Sequence, residues 1–153
     1  MIRGMIEISI DPKGRMAIPT RYREQINKVC AGSFVITIDP SSFKCLLIYP
    51  TPEFEESQRK VEKLPNMLPE ARELQRVFIG HASDVDLDSQ GRLLIPGPLR
   101  KLAGLDKSAT LVGQGNKFEL WDQERWNEMT NAWVNGGVLG GKEGEEQFAD
   151  LSL

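Results

Sequence analysis

The chain has 153 residues, 40% hydrophobic and 27% charged, with a formal net charge of −3 at pH 7. That length and apolar share suit one ordinary domain, or two very small ones, with a packed core. No apolar run approaches the ~20 residues of a membrane span and no secretory signal is evident, so we expect a cytoplasmic protein that binds no membrane. Cys30 and Cys45 are too few for a disulfide framework and are expected to be reduced.

The first 30 residues predict two short strands and a helix. Apolar and polar residues alternate through 6–10, which is typical of a strand. The Asp-Pro-Lys-Gly sequence at 11–14 favours a tight turn, and a return strand is expected at 15–18. Thr20 is expected to cap the following helix. The apolar face of that helix is expected to consist of Tyr22, Ile26 and Val29.

A second strand pair and two helices are predicted next. Strands at 34–38 and 45–49 flank a Pro-Ser-Ser turn. Helices are expected to start at Thr51–Pro52, with Thr51 as the cap, and at Leu68–Pro69, because proline is tolerated in a first turn. The apolar positions of these helices are Phe54, Val61 and Leu64 in one and Ala71, Leu74, Val77 and Phe78 in the other.

The second half of the chain predicts a similar series of elements. It contains a strand through Val85 and Leu87, a turn at 88–91, a strand through Leu93 and Ile95, a helix near 99–103, strands at 110–112 and 117–121 around a turn at 113–116, and a helix capped by Asp122 that carries Trp126, Met129 and Trp133. The Gly- and Glu-rich segment 136–147 is expected to be flexible.

The two halves of the chain repeat each other. Residues 11–26 align with residues 88–103 at an offset of 77, and six of the sixteen positions are identical, including Asp, Gly and Arg of one turn. Tyr49 and Phe54 align with Trp121 and Trp126 at an offset of 72. Two copies are too few for a solenoid, so we expect two half-size units that share one core.

Positive charge is concentrated at the start of the chain. Residues 1–30 hold six cations and three anions, residues 31–118 are balanced, and residues 119–153 hold two cations and eight anions. Charges are screened over ~8–10 Å in physiological salt. A basic surface near the N-terminus can therefore attract phosphates even though the whole chain is acidic.

The repeated Asp-x-x-Gly-Arg turn permits two interpretations. It can be a hairpin held by an Asp–Arg ion pair, which contributes ~0–1 kcal/mol when exposed. It can also be a cationic tip, since arginine forks onto a phosphate or onto O6 and N7 of guanine. Lys13 lies at the first tip and neutral Gln90 at the second.

Several kinds of site lack the residues that they need. The single histidine, His81, cannot form a multi-histidine metal centre, and a hydrolase that uses His81 with Ser83 remains only as an alternative because no GxSxG is present. The GxxxxGK match at 136–142 is not followed by Ser or Thr. The calcium-like segment 86–91 has no acidic residue at the twelfth loop position. We expect no cofactor, no metal and no small-molecule substrate.

A set of motifs spread over nearly the whole chain resembles the bacterial MraZ family of transcriptional regulators. The matching segments are Arg3-Gly4, Asp11-x-Lys13-Gly14-Arg15, Ile18-Pro19-x-Arg21-Tyr22-Arg23, Leu47-Ile48-Tyr49-Pro50, Gly80-His81-Ala82, Asp88-x-x-Gly91-Arg92-Leu93-x-Ile95-Pro96, Leu111-Val112-Gly113-Gln114 and Asn116-Lys117-Phe118-Glu119-Leu120-Trp121.

The resemblance implies an α+β fold made of two tandem SpoVT/AbrB-like ββαββ repeats that form a double-split β-barrel, with additional helices. Its expected organisation is repeat 1 at 5–52, a helical connector at 53–80, repeat 2 at 81–124, and a C-terminal helix with a flexible acidic tail at 125–153. It also implies ring-shaped homo-oligomers, a nucleoid-associated protein and no enzymatic activity.

The resemblance further implies binding to short G-rich promoter repeats in double-stranded DNA. It also implies repression of the protein's own operon and of the downstream division and cell-wall genes. Its Asp-x-x-x-Arg signature corresponds here to Asp11 with Arg15 and to Asp88 with Arg92. The expected DNA contacts are Lys13 and Arg15 first, then Arg92 and Gln90. The expected turn-supporting residues are Asp11, Gly14, Asp88 and Gly91.

The competing hypothesis is a protein-interaction module whose turns bind a partner protein. The acidic composition and the apolar positions Trp126, Met129 and Trp133 on one predicted helix are compatible with it. Such a stripe is also typical of a core or an interface between copies of a chain.

Overall fold

Residues 2–136 and 148–152 are described by a computed structural model, which shows a mixed α+β architecture with antiparallel sheets. The chain divides into two units, residues 1–123 and 124–153. Of the segment predicted to be flexible, residues 137–147 lie outside the described residues.

The strands and helices follow the predicted order. The strands are β1 Ile2–Ser9, β2 Arg15–Ala17, β3 Ser33–Ile38, β4 Cys45–Pro50, β5 Ser83–Asp86, β6 Arg92–Leu94, β7 Ser108–Gly115 and β8 Phe118–Asp122. The helices are α1 Thr20–Cys30, α2 Thr51–Glu62, α3 Pro69–Phe78, α4 Gly97–Leu102 and α5 Gln123–Val134.

The strands of the two repeats are exchanged. The six-stranded sheet has the order β1-β7-β8-β4-β3-β5, so β1 of the first repeat pairs with β7 of the second, and β5 of the second pairs with β3 of the first. The short strands β2 and β6 pair with each other in a separate two-stranded ribbon. Neither repeat therefore completes a sheet by itself.

The two repeats share one hydrophobic core, as predicted. Met16 and Ile18 from the first repeat and Leu93 and Ile95 from the second are at most 1% exposed and belong to the same cluster. Burial of a side chain of this size stabilises the fold by about 1.5–3 kcal/mol. The ribbon is thus fixed to the body of the protein by the side chains on its inner face.

A smaller aromatic cluster fixes helices α2 and α3 to the sheet. Phe54 of α2 stacks on Phe78 of α3 with ring centroids 5.1 Å apart, and both rings meet Tyr49 of β4 edge to face. The hydroxyl of Thr37 donates to the carbonyl oxygen of Phe78 at 2.8 Å, which satisfies a buried polar group.

Prolines, not threonines, precede the first two helices, so the prediction that Thr20 caps α1 is wrong. Pro19 holds the cap position with φ −54° and ψ 139°, and Thr20 is already helical. The Pro19 carbonyl accepts from the Tyr22 N–H at 3.0 Å. Pro50 precedes α2 in the same way, so Thr51 is the first helical residue and the prediction that it caps α2 is also wrong. A threonine inside the helix cannot reach the first free N–H groups as a cap does.

The predicted apolar face of α1 is only partly buried. Tyr22 and Ile26 are buried, but Val29 is 46% exposed. Val29 borders an open cleft beside Ile2 and Pro50. The spacing of apolar residues in the sequence identifies the inward face of α1 correctly. It does not show how far the neighbouring elements extend along that face.

A turn is predicted at 113–116, but the tip of the β7–β8 hairpin lies two residues further along the chain. Strand β7 continues to Gly115 because Gly113 and Gly115 still pair with Gly4 and Ile2 of β1. A Cβ on Gly113 would lie 2.7 Å from the Cα of Arg3, so this glycine permits close approach of two strands.

No helix in the described ranges has both the length and the apolar character needed to cross a bilayer. Cys30 is half-buried, Cys45 is buried, and both are free thiols.

Candidate nucleic-acid interface

The first Asp-x-x-Gly-Arg turn is organised by the carboxylate of Asp11. Its Oδ1 accepts from the backbone N–H groups of Lys13 at 3.0 Å and Arg15 at 2.8 Å, and its Oδ2 accepts from Nε of Arg15 at 2.7 Å. The N–H of Gly14 donates to the Asp11 carbonyl at 2.9 Å, with Gly14 at φ +88°. One aspartate therefore fixes both the turn and the arginine that follows it.

The second turn has the same geometry. Oδ1 of Asp88 accepts from the N–H groups of Gln90 and Arg92, both at 2.9 Å, and its Oδ2 accepts from Nε of Arg92 at 2.9 Å. The N–H of Gly91 donates to the Asp88 carbonyl at 3.0 Å, with Gly91 at φ +73°.

Each aspartate binds the inner nitrogen of its arginine and leaves the terminal nitrogens as donors. Within the described part of the chain, the terminal nitrogens of Arg15 and Arg92 make no hydrogen bond. The two side chains are 31% and 28% exposed. Ion pairs this exposed contribute ~0–1 kcal/mol, so their main effect is to orient the guanidinium groups.

The β2–β6 ribbon places both arginines on one face. Arg15 pairs with Leu94 and Ala17 pairs with Arg92, so the arginines lie about 7 Å apart along the ribbon at ~3.3 Å per residue. Side chains alternate along a strand. Because Met16 and Leu93 point into the core, both arginines project from the outer face.

The two turns also hold each other. The Ile18 N–H donates to the Gly91 carbonyl at 3.0 Å, and the Ile95 N–H donates to the Gly14 carbonyl at 2.8 Å. The structure thus brings the eight predicted site residues together as two groups of four, one at each end of a single ribbon.

Two further arginines that sequence reasoning did not assign to the site pack across the repeats. A Cβ on Gly14 would lie 2.6 Å from Cζ of Arg100, and a Cβ on Gly91 would lie 2.8 Å from Cζ of Arg23. Nε of Arg100 donates to the Ile95 carbonyl at 3.0 Å. Each glycine therefore lies against a guanidinium of the other repeat. The signal was present in the repeat alignment, where positions 23 and 100 are both arginine.

Backbone hydrogen bonds lower the pKa values of both turn aspartates. For Asp11 and for Asp88 the largest cause is the N–H of the arginine four residues later, and the ion pair with the same arginine also lowers the pKa. Both carboxylates are therefore charged at neutral pH and keep their hydrogen bonds.

One group of possible metal ligands lies elsewhere in the described residues. Ligand atoms of Asp39, Cys45 and Glu119 lie within 4.8 Å of one another. The Cys45 thiol donates to Asp39 at 3.7 Å, and Nε1 of Trp121 donates to Glu119 at 2.9 Å. Burial raises the pKa values of Cys45 and Glu119, which disfavours the anionic forms that bind metals. These contacts fit a structural cluster.

Comparison with known proteins gives the family. The family model described as "MraZ protein, putative antitoxin-like" matches residues 1–77 and again residues 78–133. The chain belongs to the MraZ family. Its relatives include proteins named "Transcriptional regulator MraZ" from Methylococcus capsulatus and Halorhodospira halophila. The first is 50% identical over 143 residues, 94% of this chain and 93% of that protein. The second is 42% identical over 153 residues and covers all of both chains.

Membership of the MraZ family shows that the hydrolase alternative is wrong, because this family consists of regulators. The structure gives His81 another role. Its Nδ1 lies 2.8 Å from the Val77 carbonyl, to which it donates, at the end of α3. Ser83 is the first residue of β5 and lies opposite Ile36 of β3.

We expect Gly14→Ala to destabilise the protein by about 1–3 kcal/mol, because alanine is strained at positive φ and its Cβ displaces Arg100. Gly97→Ala is the matched control, since its Cβ finds only the flexible end of Arg100 at 3.6 Å. Urea unfolding monitored by circular dichroism measures both. Equal stability of the two variants would contradict the proposed packing.

We expect the carboxyl groups of Asp11 and Asp88 to titrate below 3.8, their ordinary value. A lowered pKa gives a contribution to stability that is complete above 3.8 and is lost as the pH falls through the native values. Carbon-13 NMR titration measures the midpoints. Arg15→Ala should raise the Asp11 midpoint only in part, because the backbone N–H at 15 remains. Midpoints at or above 3.8 in the wild type would be inconsistent with the observed hydrogen bonds.

Proposed function

We propose that this protein is a sequence-specific DNA-binding transcriptional regulator that contacts double-stranded DNA through its two Asp-x-x-Gly-Arg turns. The observation that carries the proposal is the pair of oriented arginines on one exposed face of the ribbon, with terminal nitrogens that have no protein acceptor among the described residues. The naming of the relatives as transcriptional regulators supports it.

The ribbon suits the major groove of DNA. The groove is about 12 Å wide and admits a two-stranded β-ribbon. Arg15 and Arg92 can each present two parallel N–H donors, which match O6 and N7 of guanine or two oxygens of a phosphate. A preference for G-rich sites follows from the guanine contact.

The other predicted site residues have distinct roles in this proposal. Lys13 at the first tip supplies a point charge for a phosphate, and Gln90 at the second tip supplies only a neutral amide. The first turn is therefore the stronger contact. Asp11, Gly14, Asp88 and Gly91 support the turns and do not touch DNA.

Self-assembly is the second part of the proposal. The family resemblance supports a ring-shaped homo-oligomer on tandem repeats, because a rotational arrangement matches direct repeats in DNA. Several weak contacts on one duplex raise affinity through effective concentration. At the end of α5, Trp133 is 42% exposed and Val134 is 79% exposed, which provides apolar side chains for contacts between copies.

The remaining parts of the proposal rest on the resemblance. The exchanged strands fit a double-split β-barrel of SpoVT/AbrB type. The bound sites are promoter repeats, and the output is repression of the protein's own operon and of the downstream division and cell-wall genes. Such a protein acts at the nucleoid in the cytoplasm.

We expect Arg15→Ala to lose specific DNA binding, because one bidentate arginine–guanine contact discriminates by about 1–3 kcal/mol and each protomer of an assembly loses it. Arg59→Ala, in the exposed part of α2, is the control and should bind as the wild type does. Electrophoretic mobility shift with a G-rich repeat duplex measures affinity, and size-exclusion chromatography measures assembly. If Arg15→Ala assembled normally and retained wild-type affinity, Arg15 would not be part of the DNA contact.

A further inference from the structure

The two turns have equivalent neighbours in the opposite repeat. The Ile10 N–H, just before the first turn, donates to the Lys107 carbonyl at 2.9 Å. The Leu87 N–H, just before the second turn, donates to the Gly32 carbonyl at the same distance. Lys107 and Gly32 therefore hold equivalent places beside the two turns.

Lys107 lies next to the first turn together with other residues of the second repeat. An open cleft beside this turn is lined by Asp11 and Pro12 of the turn and by Arg100, Asp106 and Lys107. The second repeat thus contributes two cations to the surroundings of the first turn, Arg100 from α4 and Lys107 from the end of the α4–β7 connection.

The charges around the two turns are not equivalent. The first turn has Lys13 where the second has Gln90, and it has Lys107 where the second has Gly32. Asp106 lies beside the first turn and Asp86 lies beside the second. Neither has an acidic residue at the equivalent position of the other repeat. The acidic residues offset each other, and the two lysines leave the first turn more positive.

The charge of Lys107 is available to an external anion. Lys107 is exposed, and it forms no ion pair with any residue in the described ranges. A lysine that supports the fold through a carboxylate would show such a pair. Because charges are screened only over ~8–10 Å in physiological salt, the charge of Lys107 adds to the electrostatic field around the neighbouring turn.

We propose that Lys107 is a phosphate-binding residue, which the second repeat contributes to the DNA contact of the first turn; this inference rests on the proposed function. Lysine is a point charge without the planar fork of arginine. Lys107 therefore binds the phosphodiester backbone and positions the protein, while the turn arginine reads the bases.

Salt dependence of DNA binding tests the proposal. Removal of one phosphate contact lowers the slope of log K against log salt by about 0.9 for each bound protomer. Lys107→Gln should therefore show a shallower slope and a similar loss of affinity for a G-rich duplex and for an unrelated duplex. Lys107→Arg keeps the charge and should retain the wild-type slope.

The matched control is Lys60→Gln, an exposed lysine of α2 far along the chain from both turns, which should retain the wild-type slope. Thermal unfolding of each variant checks the fold. If the wild type binds G-rich duplex selectively and Lys107→Gln has the same slope as Lys60→Gln, the inference about Lys107 is wrong and the proposed function stands. If the wild type shows no preference between the duplexes, the proposed function fails, and the inference fails with it.

Discussion

The pairing of β2 with β6 is the interaction on which the rest of the structure depends. Three residues from each repeat form the ribbon, and the carbonyls of Gly14 and Gly91 accept hydrogen bonds from Ile95 and Ile18 across it. The inner face of the ribbon is anchored in the shared core, and its outer face carries the turn arginines. This short contact between the repeats thus joins the ribbon to the shared core and sets the spacing of the two arginines that we propose contact DNA.

Local charge reconciles an acidic protein with a proposed anionic partner. The net charge of −3 describes the whole chain, but an approaching phosphate responds to charges within about 10 Å. Each turn aspartate accepts three hydrogen bonds, two from backbone N–H groups and one from a guanidinium Nε, so it orients an arginine without covering that arginine's terminal nitrogens. Arg23 and Arg100 add positive charge from the opposite repeat.

Local features and the shared core of the two repeats could be predicted from the sequence, but individual contacts between the repeats could not. Asp, Gly and Arg at fixed spacing specify a turn by themselves, since the aspartate accepts from the following N–H groups and the glycine takes a positive φ. The packing of Arg100 on Gly14 joins residues 86 positions apart in the sequence, and no local rule finds it. The Thr20 cap failed because a proline already held the position, and the exposure of Val29 depends on tertiary neighbours.

Selection from random DNA tests whether this protein prefers guanine-rich duplex, and it assumes neither an operator nor a particular arginine. Purified full-length protein is mixed with a pool of random duplexes, and the bound fraction is sequenced after successive rounds. We expect enrichment of guanine-rich segments that recur in tandem within each selected duplex. Recovery of sequences indistinguishable from the starting pool, even in dilute buffer, would contradict it.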